Sequence, residues 1–366
     1  MFSLARMARL ALAVGIVSFL VSVGPNGEAL AQSCTDTGYS YNASCSNTNN
    51  SNSSGTTVTS AALVATSAAT TMGLVTSRVS QFRQGSGSTV KGALQSKSLF
   101  AAGNGTGASA GENMDTRMGV WGNMAYLRSE GDKTGANFES DLMSGMVGMD
   151  YRVGNIDNPT FIGISFGYET ADITTSFNRG TIDTEGLTIS PYVSFGLTKV
   201  FSIDVVGGYT AMSYDTTRKD PLSSANITGA FDADRYFGAA DLVGTWLADK
   251  WTVGARIGAS HVSEEQDAYR ESNGTTHGID HIQVSSANTG VRLGYSFDKV
   301  QPYVGGTYSF DFVNSGGAYD ERNTVGGMAG LSISVAPNLS MNVEGRASAK
   351  EDITNYGGSA TLRLNF

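Results

Sequence analysis

Apolar and polar residues alternate along most of the chain from residue 117 onward. In the last segment, Leu362, Leu364 and Phe366 fall on one face of a predicted strand, and Arg363 falls on the opposite, polar face. An apolar strip suits lipid, whereas an arginine needs water or a charged partner. The pattern therefore predicts the closing strand of a membrane β-barrel.

About twelve segments of this kind follow one another, separated by residues that favour turns. They lie near residues 117–128, 138–153, 160–174, 184–198, 201–214, 231–247, 251–263, 281–297, 300–312, 323–335, 339–350 and 356–366. In the segment at 201–214, for example, Phe201, Ile203 and Val205 oppose Ser202 and Asp204.

The predicted connections are alternately short and long. The short ones lie at residues 199–200, 249–250, 298–299 and 336–338, and the long polar ones at 215–230, 264–280 and 313–322. Tight periplasmic turns and longer external loops are typical of outer-membrane barrels. A soluble β-sandwich is the alternative, but it would not obviously give this regular alternation. The sequence predicts an all-β fold, an antiparallel up-and-down transmembrane barrel of about 12 strands preceded by a short helical segment.

Aromatic residues near the strand ends predict girdles at the two membrane interfaces. They are Trp121, Tyr126, Tyr151, Phe161, Tyr192, Phe201, Trp246, Trp251, Phe297 and Tyr303. The alternative is the ordinary preference of aromatic residues for strands. Girdles are favoured because Trp246 and Trp251 flank one tight turn.

The first 31 residues read as a secretory signal peptide. Arg6 and Arg9 precede an apolar run at 10–23, and Ala-Leu-Ala at 29–31 is a small-x-small cleavage site. We therefore expect export through the Sec translocon. Beyond this segment no run approaches the roughly 20 apolar residues that a membrane helix needs.

The amino-acid composition supports a barrel and argues against one class of binding partner. The chain has 46 glycines in 366 residues, and glycine favours close backbone approach in curved sheets. The mean hydropathy is −0.12, as expected when half of each strand faces a polar lumen. The formal net charge of −9 argues against a nucleic-acid partner.

The region between the signal peptide and the barrel divides in two. Residues 32–58 are rich in Ser and Asn and are predicted to be disordered. Cys34 and Cys45 are predicted to form a disulfide there, because an exported chain meets an oxidising compartment. Residues 59–116 are predicted to hold helices near 59–84 and 90–101, followed by a glycine-rich linker at 103–111.

Three segments carry a resemblance to a known family. They are the opening strand with Gly119-Val-Trp, the second strand with Gly148-Met-Asp-Tyr, and the closing strand that ends at Phe366. Over residues 117–366, and more loosely over 59–116, the chain resembles the autotransporters of type V secretion.

The resemblance implies a twelve-stranded outer-membrane barrel with a helix through its lumen, which lets an N-terminal passenger reach the cell surface. It also implies that Leu362, Leu364 and Phe366 form a signal for the barrel assembly machinery. The chain departs from the family in one respect, because residues 32–116 are too few for a β-helical passenger. The displayed segment would therefore be a minimal surface tail, or the barrel would serve another role.

Nine charged residues are predicted to face the lumen. They are Asp150, Arg152, Asp204, Asp241, Arg256, Arg292, Glu344, Arg346 and Arg363. Charges of both signs can pair across the lumen or hold a plug. In some members of the resembled family, acidic lumen residues help to cleave the linker beside an asparagine. Residues 59–116 contain only Asn104 and Asn113, so electrostatic fixing of a threaded helix is favoured over self-cleavage.

Candidate catalytic residues are few. His277 and His281 lie in or beside the predicted loop at 264–280 with Glu271 and Asp280, and a hydrated loop is favoured over a metal or catalytic site. There is no Gly-x-Ser-x-Gly, no His-Glu-x-x-His and no phosphate-binding loop. We expect no enzymatic activity, no cofactor and no bound metal.

Three functions remain open. The preferred one is an autotransporter-type barrel in outer-membrane lipid that anchors and displays a short N-terminal segment at the cell surface. The alternatives are a porin-like channel for small solutes, and a structural or adhesive surface protein whose ligand the sequence does not name.

Overall fold

The computed structural model describes residues 63–75, 117–154, 159–315, 319, 321–336, 338–350 and 352–366. The chain divides into two compact units, Met1–Ser46 and Asn47–Phe366, and every described residue belongs to the second. The predicted signal peptide, the predicted disulfide between Cys34 and Cys45, and the second helical candidate at 90–101 lie outside the described residues.

Long antiparallel strands form one closed barrel in the described part of the chain. They are β1 (Met118–Gly131), β2 (Phe138–Val153), β3 (Thr160–Thr175), β4 (Gly180–Gly196), β5 (Phe201–Lys219), β6 (Asn226–Ala248), β7 (Trp251–Gln266), β10 (Asp280–Tyr295), β11 (Val300–Ser315), β12 (Asn323–Ala336), β13 (Leu339–Lys350) and β14 (Ile353–Asn365). Between β7 and β10, the short strands β8 (Tyr269–Arg270) and β9 (Thr276–His277) form a separate hairpin. The predicted twelve-stranded all-β barrel is confirmed.

The last strand closes the barrel against the first. β14 pairs antiparallel with β1 from Gly119 opposite Asn365 to Gly131 opposite Ile353. The backbone N–H of Phe366 donates to the carbonyl of Met118 at 2.9 Å. Closure pairs both edges of the sheet, which a wall surrounded by lipid requires.

The two ends of the barrel differ. The turn end carries the turn at residues 249–250 and the residue Phe366, and the loop end carries the β5–β6 connection and the β8–β9 hairpin. Trp246 and Trp251 are exposed on either side of the turn at 249–250. Phe201 meets the Trp246 ring edge-on, with the ring centroids 5.7 Å apart. These contacts fit an aromatic girdle at the turn end.

Four of the ten predicted girdle residues do not face outward, and for them the prediction is wrong. Trp121, Phe161, Tyr192 and Tyr303 are buried inside the barrel. The Trp121 ring lies over Gly148 on β2, where an added Cβ would come within 2.5 Å of the indole. Strand parity, and not nearness to a strand end, decides which face an aromatic side chain takes.

The prediction of a long connection at residues 215–230 is also wrong. β5 continues to Lys219 and β6 begins at Asn226, which leaves only residues 220–225 between them. The outer face of these strand extensions is polar, with Asp215 and Asp232 exposed. Strands that extend beyond lipid lose their apolar strip, and their sequence then resembles that of a loop.

A helix, α1, covers residues 63–75 and lies within the first predicted helical segment. Within the described residues, we find no helix with the length and apolar character needed to cross a membrane. Val64, Ala68 and Val75 of α1 are buried in one cluster with wall residues that include Trp121 and Phe237. Helix α1 therefore packs inside the lumen of the barrel.

The direction of α1 follows from its first residue. Leu63 packs against a second cluster, which includes Phe138 and Tyr319 at the loop end. Leu63, Val64 and Ser67 also border a small cavity together with Ile173 and Ile182, which lie beside the β3–β4 connection at the loop end. The helix begins toward the loop end and proceeds toward the turn end.

Candidate functional site

Two hydroxyl groups of α1 attach the helix to one carboxylate of the wall. The Ser67 hydroxyl donates to Oε1 of Glu169 at 2.5 Å, and the Thr71 hydroxyl donates to Oε2 of the same carboxylate at 3.2 Å. Residues four apart lie on one face of a helix, one turn above the other. One carboxylate on β3 can therefore accept hydrogen bonds from both.

Arg235 on β6 links this contact to a second acid. Its Nη1 lies 2.8 Å from Oε1 of Glu169 and donates to the Ser67 hydroxyl oxygen at 2.6 Å. Its Nε lies 2.7 Å from Oε2 of Glu264 on β7. The side chains of Arg235, Glu169 and Glu264 are 3%, 4% and 0% exposed. The guanidinium thus joins three strands and the helix in one buried network.

The other carboxylate oxygen of Glu264, Oε1, also accepts hydrogen bonds. The Tyr214 hydroxyl donates to its Oε1 at 2.8 Å, and the Gln266 side-chain amide donates to the same oxygen at 2.9 Å. A fully satisfied buried network of this kind fixes one arrangement, because losing any member leaves a buried charge or dipole unpaired. We call Ser67, Glu169, Tyr214, Arg235 and Glu264 the helix lock.

Sequence reasoning missed the three charged members of the helix lock. Glu169 and Arg235 lie within predicted strands at inward positions, so parity alone could have identified them. Glu264 lies one residue beyond the strand predicted at 251–263, and its acidic neighbours favoured a loop.

Four stacked rings run from the helix lock to the loop end. Tyr214 stacks on Phe231, Phe231 on Tyr269 and Tyr269 on His277, with centroid separations of 4.7, 4.7 and 4.5 Å. The last two rings belong to the β8–β9 hairpin. We call these four residues the ring column.

A buried ion pair holds the hairpin beside the ring column. Arg218 on β5 donates from Nε and Nη2 to the two carboxylate oxygens of Glu271, at 2.9 and 2.6 Å. Burial of the Glu271 carboxyl acts to raise its pKa, but the adjacent His277 and Arg218 groups lower that pKa to about 2. The hairpin is therefore attached to β5 and β6 through both charge and stacking.

A second buried cluster lies at the turn end. Arg363 on β14 donates to both carboxylate oxygens of Asp150 on β2, at 2.9 and 2.8 Å. The Tyr192 hydroxyl donates to Asp150 at 3.1 Å and accepts from the Trp121 indole N–H at 2.8 Å. The predicted lumen residue Arg152 is also buried. The structure thus brings Asp150 and Arg363 together across the β1–β14 seam.

The other predicted lumen charges face a cavity of about 380 Å³ that α1 borders on one side and strands β5–β7 and β10–β14 border on the other. They are Asp204, Asp241, Arg256, Arg292, Glu344 and Arg346. Arg346 Nη2 lies 3.7 Å from Oε1 of Glu344. Helix α1 therefore fills the lumen unevenly, close against β1–β6 and apart from β11–β13.

The histidines are separated in the structure. His277 Nε2 lies 3.5 Å from Oε1 of Glu271, whereas His281 Nδ1 lies 3.3 Å from Oε2 of Glu265 on the exposed outer wall. No group of three or more His, Cys, Asp or Glu side chains within the described residues could hold a metal ion. The contacts made by the buried groups are structural ones, which hold the helix, the hairpin and the seam.

Comparison with known proteins gives a consistent result for the barrel. The family model described as Autotransporter beta-domain matches residues 120–354. A comparison with curated protein sequences found no match.

Solved structures show the same fold. The translocator domain of autotransporter NalP from Neisseria meningitidis superposes with a TM-score of 0.62 at 10% identity, covering 69% of this chain and 89% of that one. The beta domain of the Bordetella autotransporter Brka gives a TM-score of 0.58 at 18% identity, with coverages of 68% and 100%. The transport unit of AIDA-I from Escherichia coli gives 0.52 at 16% identity, with coverages of 73% and 96%.

Proposed function

The chain belongs to the autotransporter beta-domain family, and from that premise we propose that its barrel anchors and displays the short segment preceding α1 at the cell surface. The barrel is an outer-membrane domain of a secretion family. The displayed segment would comprise residues 32–62, after removal of the predicted signal peptide.

The direction of α1 is the observation that supports display. Leu63, the first described residue of the helix, packs against the loop-end cluster. In outer-membrane barrels the longer connections face the outside of the cell. A chain that leaves α1 before residue 63 would therefore emerge outside the cell.

The helix lock supports permanent anchoring. Ser67 and Thr71 occupy the Glu169 carboxylate, and Arg235 neutralises it. Residues 63–75 include no asparagine, so the acid that contacts the helix meets hydroxyl groups instead. We propose that these contacts retain the helix, and that the N-terminal segment stays joined to its barrel.

Export and assembly follow the family pattern in this proposal. The Sec translocon would carry the chain across the inner membrane, and the barrel assembly machinery would read Leu362, Leu364 and Phe366. Leu362 and Phe366 are exposed on the outer face of the closing strand, where another protein could contact them.

Protease shaving of intact cells tests display. An antibody to residues 35–55 should lose its signal after external protease, while an epitope inserted at the 249–250 turn should stay protected. Protection of residues 35–55 in cells whose β5–β6 loop has been cut would show that display is wrong.

A second candidate function rests on the cavity beside α1. A space of about 380 Å³, lined by charged and polar side chains as well as apolar ones, leaves room for water and small ions next to the helix. We propose a porin-like channel as the alternative. Planar-bilayer conductance of the full-length chain should be compared with that of a variant lacking residues 32–112. High conductance only after deletion supports a helix that plugs the barrel, and high conductance in both supports a pore.

A further inference from the structure

We propose that the cavity of about 380 Å³ beside α1 is a binding site for a small polyanion, a solute that carries several carboxylate or phosphate groups. Its ligands would be the guanidinium groups of Arg256, Arg292 and Arg346, which all line this cavity. The site is separate from the helix lock and does not depend on surface display.

Arg256 and Arg292 lie on neighbouring strands, on the same inner face. Arg256 is opposite Gly290 in the β7–β10 register, and Arg292 is two residues further along β10. A Cβ added at Gly290 would lie 3.3 Å from Nε of Arg256, so the arginine side chain crosses β10 where no side chain blocks it. The register thus places two guanidinium groups beside each other on one wall.

Arg292 is held in place but incompletely paired. Its guanidinium carbon lies 3.3 Å from the centroid of the Tyr303 ring, a cation–π contact that fixes the plane of the group. Its Nη2 is buried and has no hydrogen-bond partner among the described residues. A buried donor without an acceptor is costly, and an anionic oxygen would satisfy it.

Two of the four acids around the cavity are engaged with groups other than the three arginines. Asp311 accepts from Lys350 at 2.7 Å, and Asp204 accepts from Ser194 at 2.6 Å. The other two acids compete with a guest, because Asp241 interacts electrostatically with Arg256 and Glu344 Oε1 lies 3.7 Å from Arg346 Nη2. An anionic guest is still favoured over a cationic one, because only an anion would satisfy the unpartnered Nη2 donor of Arg292.

The helix leaves space for such a guest. On the helix side the cavity is lined by Ala65, Ala69 and Gly73, which project little into the lumen, together with Thr66, Thr70 and Met72. The volume of about 380 Å³ lies within the usual range of roughly 300–1,000 Å³ for small-molecule sites. Citrate and pyrophosphate are compact polyanions of suitable size, and a guanidinium can bind either group through two parallel hydrogen bonds.

Calorimetric titration of the detergent-solubilised full-length chain with citrate and with pyrophosphate, at fixed ionic strength, tests the site. We expect saturable one-to-one binding that weakens at least tenfold in the double variant Arg256→Gln/Arg292→Gln. Asp241→Asn should tighten binding, because it removes one of the two competing carboxylates. Arg128→Gln on the outer wall is the matched control and should leave the affinity unchanged.

A second variant keeps the test valid if the double variant does not fold. Ala69→Phe fills the cavity from the helix side with all three arginines intact, and it should abolish binding. Absence of saturable binding to the wild-type chain, or equal affinity in either cavity variant, would overturn the proposal. Either result would leave the display proposal standing, because protease shaving measures a different property.

Discussion

The two halves of the barrel wall follow the same alternation but enclose the lumen differently. On β2 and β4, which face α1 closely, inward residues are almost all buried. On β12 and β13, across the cavity, most inward residues are only partly buried. The same strand pattern thus serves as a tight socket on one side and as a wide polar wall on the other.

The difference shows that a lumen helix need not fill its barrel. Helix α1 gains the helix lock from β3, β5, β6 and β7, and its apolar contacts mainly from β1–β7, with Ile282 of β10 in the same cluster. The opposite wall carries charges that contact one another or face the cavity. One half of the barrel holds the helix, and the other half is free to serve a different purpose.

The largest expected effect is the loss of Arg235. In Arg235→Ala, Glu169 and Glu264 become buried carboxylates without a cation, which costs about 3–5 kcal/mol. Arg256→Ala on the cavity wall should cost less than about 1 kcal/mol, since its guanidinium is only partly buried. Urea unfolding in lipid vesicles measures both. Equal losses would mean that the two walls are not different.

Adjacent alanines on α1 give a smaller and more local comparison. Ala68 is buried against the socket, whereas Ala69 faces the cavity. We expect Ala68→Leu to destabilise the folded barrel by about 1–3 kcal/mol through overpacking, and Ala69→Leu to change stability by less than about 0.5 kcal/mol. The same unfolding assay applies. If Ala69→Leu is the more damaging of the two, α1 is rotated relative to our description.

The β8–β9 hairpin packs against β5 and β6, which belong to the half of the barrel that holds α1. Its attachment should therefore depend on the ring column. Tyr269→Ala removes a ring from the middle of the stack and should weaken hairpin attachment by about 1 kcal/mol per lost ring contact. Hydrogen exchange at residues 269–277 should accelerate while the barrel strands keep their protection. Tyr308→Ala on the outer face of β11 is the control, and equal acceleration there would contradict a specific role for the column.

Lowering the pH should weaken the attachment of the same hairpin, and we expect this to be the smallest of the four effects. The folded-state pKa of Glu271 is lowered from its ordinary 4.5 to about 2. The Arg218–Glu271 pair therefore stabilises the attachment fully above about pH 5 and loses that contribution as pH falls toward 2. Fluorescence of a probe at Asn273 should report the change. In Glu271→Gln the response should vanish, and its persistence would assign the titration to another group.

The fold could be predicted because the alternation of apolar and polar residues is local and repeats in every strand. In the β2 segment, residues 138–153 match the observed strand at both ends. A lipid-facing strip imposes a period of two on every strand, and no other fold needs that strip around a complete ring. The error in strand length occurred at the loop end, where β5 and β6 leave lipid and their outer faces become polar.

The site was less predictable, because the pairing of side chains across the lumen depends on which strands lie opposite each other in the closed barrel. Parity placed Asp150 and Arg363 on inner faces, but only closure of β1 against β14 brings them within hydrogen-bond distance. Parity cannot show that Arg235 would join acids on two different strands and a serine on the helix. The position of α1 decides which charges are buried and which face the cavity.

The β1–β14 seam also has a kinetic consequence. Its partners, such as Gly119 and Asn365, are separated by nearly the whole barrel sequence, so this contact carries the greatest entropic penalty of chain closure. The barrel can close only after β14, its last strand, has formed, and until then the lumen is open between β1 and β13. If α1 docks on β3 and β6 during that interval, it enters sideways and needs no axial threading. Pairing of β14 with β1, completed by the hydrogen bond from Phe366 to Met118, would then be the step that encloses α1 in the lumen.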